Sequence, residues 1–525
     1  MKAYLKKTLL RAVAAAAALL PLAVPEAAAE RLVILSTNDT HSQIDPDFDG
    51  RGGALRRKAI IDSVRAAEEH VLLVDAGDAV QGTLYFTLFG GEVELAMLDS
   101  LGYDVYTLGN HEFDNGMEPL RPFYSRMRAA RVSANYGLDN TPLAGLFEPY
   151  VIKEYAGRRV AVMGVNLLPD GMIAPANCSG VEYTNSSDAA NALAGELKRS
   201  GQADFVIALT HVGYGGGTPD NPSDTQIVAR SSDIDLVIGG HSHTTLDPAD
   251  PASEPWMIAN ADGREIPVTQ TGYAGKKVGY IAVNLDDMQV EEYRLITVDK
   301  RYDDRASYPG LEAYLAPYKA LVDSLMRHPV ARSAAMLDRG TPGLENFTAD
   351  AAYAIAAKLY DGEIDMAFMN SGGIRQPIPE GDVSEGVVRS TYPFENRLVV
   401  LEITGERLIE ALKIMASRGG DPVSSQVRVE FERGEPGGQA TLLSATIGGA
   451  EIDPAATYHV ATIDYLANGG DYMTPLPGCP RTYEDIIKIG DRIIEYLQEI
   501  TAAGEIIDPS REPRMIDVGK PQPRK

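Results

Sequence analysis

Cysteine is nearly missing from this chain: 525 residues carry two, Cys178 and Cys479. So few thiols exclude a disulfide-stapled scaffold and a structural zinc knot, both of which need clustered sulfur. The two lie far apart, in what read as different domains, and sequence alone does not establish the geometry a bridge requires, so two free thiols are the expectation. Long apolar runs are also missing beyond residue 29, which excludes a membrane-spanning helix there. The first 29 residues read differently. Lys2, Lys6, Lys7 and Arg11 flank "AVAAAAALLPLAV", and "EAAAE" offers small residues for cleavage after Ala29, the composition of a secretory signal peptide over residues 1–29. No Cys near that point is placed to carry a lipid, and the polar ending "VGKPQPRK" is not an anchor signal. The expected location is a periplasm or the exterior of the cell, without a stable membrane anchor. Positive charge is in deficit too, with 48 Lys and Arg against 74 Asp and Glu and a net charge of −26. A nucleic acid polymer would meet a repulsive field. A small phosphate compound is not excluded, because divalent ions and a few arginines can invert the potential inside one cleft.

What is present is organised. The length suits two to four domains at about 150 residues each. From Glu30 to about residue 300, short β-branched and Leu-rich runs alternate with helical stretches, the pattern of a layered α/β domain with buried strands. Residues 301–335 read as a helical connector, with Leu311, Leu315, Leu321 and Leu325 apolar and Pro317 as a kink. Over 336–520, "ADAAYAIAAKL" and "ERLIEALKIMASRGG" are helical, the second with Leu408, Leu412 and Met415 on one face and Gly419 as its stop. "RLVVLEI", "QVRVEFE" and "TYHVATIDYL" look like strands, so this part is a separate α+β domain.

The chemistry collects at strand ends. "LVILSTNDTH" closes on Asp39 and His41, "VLLVDAGD" on Asp78, "YDVYTLGNHEFDNG" on Asn110, His111 and Asp114, "FVIALTH" on His211, and "LVIGGHSH" on His241 and His243. In open α/β sheets, sites form outside the carboxyl ends of the strands, so residues spread over two hundred positions can meet there. A lone His is more often a surface or satisfied core residue than a ligand. Five of the eight His at strand ends beside Asp39, Asp78 and Asn110 reverse that reading, while His70, His328 and His459 have no such setting. Imidazole, carboxylate and amide oxygen suit Zn, Mn, Co or Fe(II). Seven candidate ligands are too many for one ion and fit two ions sharing a carboxylate, for which Asp78 is the natural bridge.

In order and spacing, "NDTH", "AGDAVQG", "GNHEFDNG", "THVG" and "GGHSHT" resemble the motif series of calcineurin-like metallophosphoesterases. "NSGGIR", "YPFENRLVV" and "DYLANGGD" are similar to the C-terminal motifs of their 5′-nucleotidase branch. The resemblance covers nearly the whole mature chain. It implies a four-layer β-sandwich domain flanked by helices, followed by a smaller α+β substrate-binding domain. It places one metal on Asp39, His41, Asp78 and His243, and the other on Asp78, Asn110, His211 and His241. His111 and Asp114 match the catalytic dyad, and Arg375 the phosphate-binding arginine, in a loop framed by Asn370 and Gly373. Phe394 and Tyr465 match a pair of rings that sandwich a base, and Asp471 the ribose ligand, although periodicity alone would assign both rings to a core. The reaction implied is removal of the 5′-phosphate of nucleoside monophosphates by in-line attack of a metal-bridging hydroxide. Rivals on the same site are UDP-sugar or dinucleotide diphosphate hydrolysis, 2′,3′-cyclic phosphodiester cleavage, thiosulfate release, which the base and phosphate motifs disfavour, and a catalytically silent nucleotide-binding protein.

Three segments depart from that pattern. "TPGLENFTADA", residues 341–351, keeps only Leu344, Asn346 and the final "ADA", and Arg339 just before it is the candidate for a second phosphate-binding arginine. Tyr465 stands where a Phe is usual, and "GGDPVSSQVRV" lacks an aromatic and a Ser-Gly pair, so contacts made there in relatives are not implied here. With the metals on one domain and the base clamp on the other, closure about the connector is expected.

Overall fold

The structure is a computed structural model, and it describes residues 30–434 and 438–519. The expected signal peptide lies outside the described residues. The strand Arg31–Thr37 is buried from its second residue onward, as a central strand covered on both faces must be. It pairs in parallel with His70–Asp75, which is followed by Val105–Thr107 and Ala130–Val132; on its other side run the antiparallel strands Lys277–Asn284 and Gln289–Thr297. A second six-stranded sheet runs Met257–Ala259, Glu265–Thr269, Leu236–Ile238, Phe205–His211, Arg158–Asn166 and Tyr150–Tyr155 in spatial order.

Successive side chains of a strand point to opposite faces, and the first strand divides its residues accordingly. Leu32 and Ile34 join Leu72 and Val74 against Val162, Ile207 and Leu209 of the second sheet. Val33, Leu35 and Leu73 turn the other way, onto Ile60 and Ile61 of the helix Ala54–Ala67 and Val93 and Leu98 of the helix Glu92–Leu101. The helix Ser186–Arg199 covers the second sheet with Ala190, Ala194 and Leu197. The result is helix, sheet, sheet, helix: the four-layer sandwich expected. At the edge of the second sheet Trp256 packs with its ring centroid 5.4 Å from that of Tyr293.

The C-terminal layers have their own core. A four-stranded sheet runs Met366–Ala367, Thr457–Ile463, Arg397–Thr404 and Arg481–Lys488, and another runs Ala450–Glu451, Thr441–Ile447, Val427–Glu432 and Met515–Asp517. The helix Gly405–Ser417 buries Leu408, Leu412 and Met415 as its spacing predicts, and the chain leaves it through Gly419 at φ 106°, a value glycine adopts without a Cβ penalty. Val427–Glu432 alternates strictly between buried and exposed. "TYHVATIDYL" is only partly strand: it ends at Ile463, and Tyr465 falls in the short helix Asp464–Ala467.

The stretch expected to be a connector contains the helix Pro309–Met326, continuous through Pro317. Its seating face differs from the expected one: Leu315 and Val322 are buried, whereas Leu321 is 56% exposed. The reason is the 3.6-residue period, since positions seven apart share a face and positions six apart do not. Tyr318 packs edge-on to Phe89 and donates its hydroxyl to Glu92 Oε1 at 2.8 Å, which fixes the helix to the N-terminal layers. The following strand Pro329–Ser333 pairs with Gly381–Ser384 of the C-terminal layers. Cys178 and Cys479 are both free.

Candidate metal centre and substrate cavity

The strand ends converge on one rim. Past Thr37 the chain turns sharply, with Asp39, His41 and Ser42 at φ 48°, 46° and 58°, and it runs beside the equally strained loop at Asp78, φ 54°. Backbone bonds lace the two loops together: Asp39 N–H donates to Gly77 O at 2.9 Å and His41 N–H to Asp78 O at 3.0 Å. Non-glycine residues adopt such φ values only where surroundings over-determine them, and such sites are commonly functional. Small residues permit the approach. A Cβ on Gly109 would collide with the Asp78 carboxylate, and one on Gly240 would lie 2.8 Å from His211 Nδ1.

The side chains that result point at one another. His41 Nε2 and His243 Nε2 are 2.9 Å apart, and Asp39 Oδ1 lies 3.8 Å from the first and 3.4 Å from the second. Asp78 Oδ2 is 3.1 Å from His211 Nε2 and 4.0 Å from both His41 Nε2 and His111 Nε2. Asn110 Oδ1 is 3.0 Å from His241 Nδ1. Donor atoms of three groups lie within 4.8 Å of one another: Asp39, His41 and His243; His41, Asp78 and His111; Asp78, His211 and His241.

These residues fit a divalent cation on grounds internal to the site. His211 is fully buried, its Nδ1 lies 2.7 Å from Ala76 O, and its Nε2 has no hydrogen-bond partner, so in the neutral tautomer that donates to Ala76 a lone pair faces the Asp78 carboxylate at 3.1 Å. A divalent cation held by both residues would remove that conflict. Burial alone would lower the pKa of His211, but Asp78 outweighs it and, with Asp39, raises it to about 10. Burial and the neighbouring charge of His211 hold His241 down to about 4, and burial, Arg375 and His243 push His41 well below its ordinary value.

His111 sits at the edge of this group. Its Nδ1 is 2.8 Å from Asp114 Oδ2, and the side-chain amide of Asn177 donates to Asp114 O at 2.7 Å. Burial opposes the charged form of His111, but Asp114 and Asp78 overcome it, and the pKa is raised.

Several supporting residues carried no signal in the motif reading. Glu112, 2% exposed, accepts the backbone N–H of Gly109, Asp78 and Ala79 at 2.6, 3.1 and 2.9 Å, tying together two loops of the site. Asn38 donates to Asp39 Oδ2 at 2.6 Å and to Gly272 O at 2.8 Å, orienting the carboxylate. Tyr273 stacks on His243 at 5.3 Å with the planes 16° apart.

The C-terminal motifs face the same space. One cavity of about 670 Å³ is lined by Asp78, Asn110, His111 and His241 on one side and by Asn370, Arg375, Phe394, Tyr465 and Asp471 on the other. That volume is in the range of small-molecule sites. Arg375 reaches across, with Nη2 3.0 Å from His41 Nδ1, and burial with nearby Arg339 lowers its pKa to about 10. Phe394 lies 6.0 Å, centroid to centroid, from His111. Asp471 Oδ1 accepts from Tyr465 Oη at 3.0 Å and Oδ2 from Asn370 Nδ2 at 2.8 Å. Gly373 lines the cavity too, and a Cβ there would press on Asn370 Oδ1. Arg339 is not among the lining residues; its guanidinium lies over the Tyr273 ring, 5.8 Å from the centroid.

A sandwich of two sheets whose strand ends bring His, Asp and Asn to one rim, closed by a second domain, defines a metal-dependent phosphoester hydrolase, and comparison with known proteins agrees. Residues 32–245 match the family model of calcineurin-like phosphoesterases, and residues 327–477 that of the 5′-nucleotidase C-terminal domain. The chain belongs to the family that joins these two domains. Among curated relatives, the 5′-nucleotidase of Mus musculus is 27% identical over 94% of this chain and 91% of its own length. The trifunctional nucleotide phosphoesterase YfkN of Bacillus subtilis is also 27% identical over 94% of this chain, which spans only 35% of that longer protein. Among solved structures, the 5′-nucleotidase precursor of Thermus thermophilus superposes with a TM-score of 0.82 at 28% identity, covering 94% of this chain and all (100%) of that one. The sulfate thiohydrolase SoxB of a Thermus shares the fold, with a TM-score of 0.71 at 18% identity over 93% of this chain and 97% of its own.

Proposed function

We propose that this chain is an exported 5′-nucleotidase that removes the phosphate of nucleoside 5′-monophosphates at a centre of two divalent ions. The observation that carries this reading is the single cavity holding the imidazole and carboxylate cluster at one end, two aromatic rings and a carboxylate at the other, and a buried arginine between them. Asp39, His41, Asp78 and His243 would hold one ion, and Asp78, Asn110, His211 and His241 the other. Ions so held would supply charge neutralisation for phosphoryl oxygens and acidify water at neutral pH.

The protein's own residues do the rest. Arg375 offers a planar fork of donors that suits two oxygens of a phosphate. Arg339, one ring behind the rim, adds positive potential and is the second candidate for the phosphate. Asn370 and Gly373 shape the loop that presents Arg375. His111, with Nδ1 against Asp114, has Nε2 left to stabilise or protonate the departing ester oxygen. Phe394 and Tyr465 offer faces on which any base can stack. Asp471 has lone pairs beyond those engaged by Tyr465 and Asn370, and these accept the ribose hydroxyls. The domains run over residues 30–300 and 336–520 with the connector 301–335 between them, and turnover requires the two sides of the cavity to part and rejoin.

Chromatographic analysis of the products formed from AMP, UDP-glucose and 2′,3′-cyclic AMP, each with Mn or Zn, tests the reading. AMP is expected to be hydrolysed fastest. Faster conversion of UDP-glucose to UMP and glucose 1-phosphate would reassign the chain to diphosphate hydrolysis, and tight binding without turnover would make it a binding protein. Export is tested by the mass of the chain recovered from the periplasm of a Gram-negative host, which is expected to begin at Glu30.

A further inference from the structure

Gln81, in the turn after the Asp78 loop, is 1% exposed, yet neither end of its side-chain amide has a hydrogen-bond partner in the protein. Buried amides are almost always paired, and an unpaired one on the wall of a cavity marks a ligand contact or a defect. The setting argues against a defect. Gln81 holds φ 66°, its carbonyl oxygen lies 3.2 Å from His41 Nδ1, and the next carbonyl, that of Gly82, accepts from Gln376 Nε2 at 3.2 Å. A Cβ on Gly82 would lie 2.8 Å from His41 O, so the turn sits tightly against the His41 loop. Gln81 is thus held on a strained backbone among the residues that line the cavity with Asp78, His111 and Arg375.

We propose that Gln81 is a substrate-touching residue whose Nε2–H donates to a non-bridging oxygen of the phosphoryl group, alongside Arg375. The chemistry of the wall selects that occupant. Asp78 can only accept hydrogen bonds when ionised, and Arg375 can only donate. The amide of Gln81 is a neutral donor at the same wall, so it adds a contact to a phosphoryl oxygen without adding charge to a site already crowded with cations. Its Oε1 remains to accept from a hydroxyl or water beside that oxygen. The inference rests on the proposed reading of the cavity as a phosphate ester site.

The test uses the full chain loaded with Mn, with inorganic phosphate as the probe. Phosphate inhibition of AMP hydrolysis, metal content and the thermal midpoint are measured for the wild type, Gln81→Met, which keeps length and removes polarity, and Gln81→Glu, which keeps shape and exchanges a donor for an anion. Phosphate is expected to bind about tenfold or more weakly to Gln81→Met and weaker still to Gln81→Glu. Metal content should be unchanged, and the thermal midpoint of Gln81→Met equal or higher, because an unpaired buried amide has been removed. Unchanged phosphate affinity in Gln81→Met overturns the inference. Loss of metal from both variants also overturns it, by making Gln81 a support of the metal loop. A wild type on which phosphate has no effect and AMP is inert overturns the reading of the cavity instead.

Discussion

Asp78 belongs to two of the three ligand groups, so its loss should be felt twice. Asp78→Ala is expected to lower bound metal to less than one equivalent by elemental analysis and to abolish phosphate release. His111→Ala should behave differently: metal content is retained while kcat falls by about 10²- to 10⁴-fold, the usual contribution of a positioned acid or base. These residues were legible in the sequence because parallel strands deliver their carboxyl ends to one rim, and His41, His211 and His241 each follow an apolar run whose length identifies it as buried. Glu112 was not legible. It stands between His111 and Asp114 in "NHEFD", and nothing in the string says that its carboxylate turns inward to collect three amides while its neighbours face the cavity. Glu112→Gln, which cannot accept all three equally, is expected to weaken metal affinity by about 10- to 100-fold, as loss of a supporting shell does, measured by competition with a chelating dye.

Among the elements, strands buried on both faces and helices with a clean apolar stripe were read correctly, whereas the connector's seating and the start of the helix at Asp464 depended on tertiary contacts that leave no local pattern. The divergent segment at 341–348 shows the same limit: it forms the start of the helix Pro342–Leu359, and its Glu345 accepts from Ser371 Oγ at 3.1 Å, in the loop that carries Arg375. Burial raises the pKa of Glu345 to about 7. A carboxyl raised above its unfolded value costs nothing at low pH and costs more as pH climbs towards the folded value. Glu345→Gln should therefore match the wild type in thermal midpoint near pH 4 and exceed it at pH 8. The pair between the strand Arg481–Lys488 and the helix Ile489–Ala502 has the opposite sign. Asp485, 3% exposed, is held below its ordinary pKa because Arg492, at 2.7 and 3.0 Å, outweighs the effect of burial. Its contribution is present above the ordinary carboxylate range and lost below it. Arg492→Ala is expected to cost about 1–3 kcal/mol at pH 7, and chemical denaturation should show the deficit shrinking as pH falls through about 4.

Across the whole molecule, the two halves meet at more than the cavity. Asp471 N–H donates to Gly171 O at 2.9 Å, and a Cβ on Gly171 would lie 2.6 Å from the Tyr472 ring. This is where closure would be locked: a disulfide engineered between the 169–177 loop and the 470–473 turn is expected to halt multiple turnover with metals still bound and to release it on addition of a reductant, followed as steady-state phosphate production. Full activity of the oxidised form would show that the halves need not separate. Trp256 is the only tryptophan of the chain, and it packs at the outer edge of the second sheet rather than lining the cavity. The molecule therefore comes with a built-in optical label for the sandwich alone: intrinsic emission excited at the red edge will follow melting of that layer, and any nucleotide that binds the folded chain will register in it as a higher melting temperature.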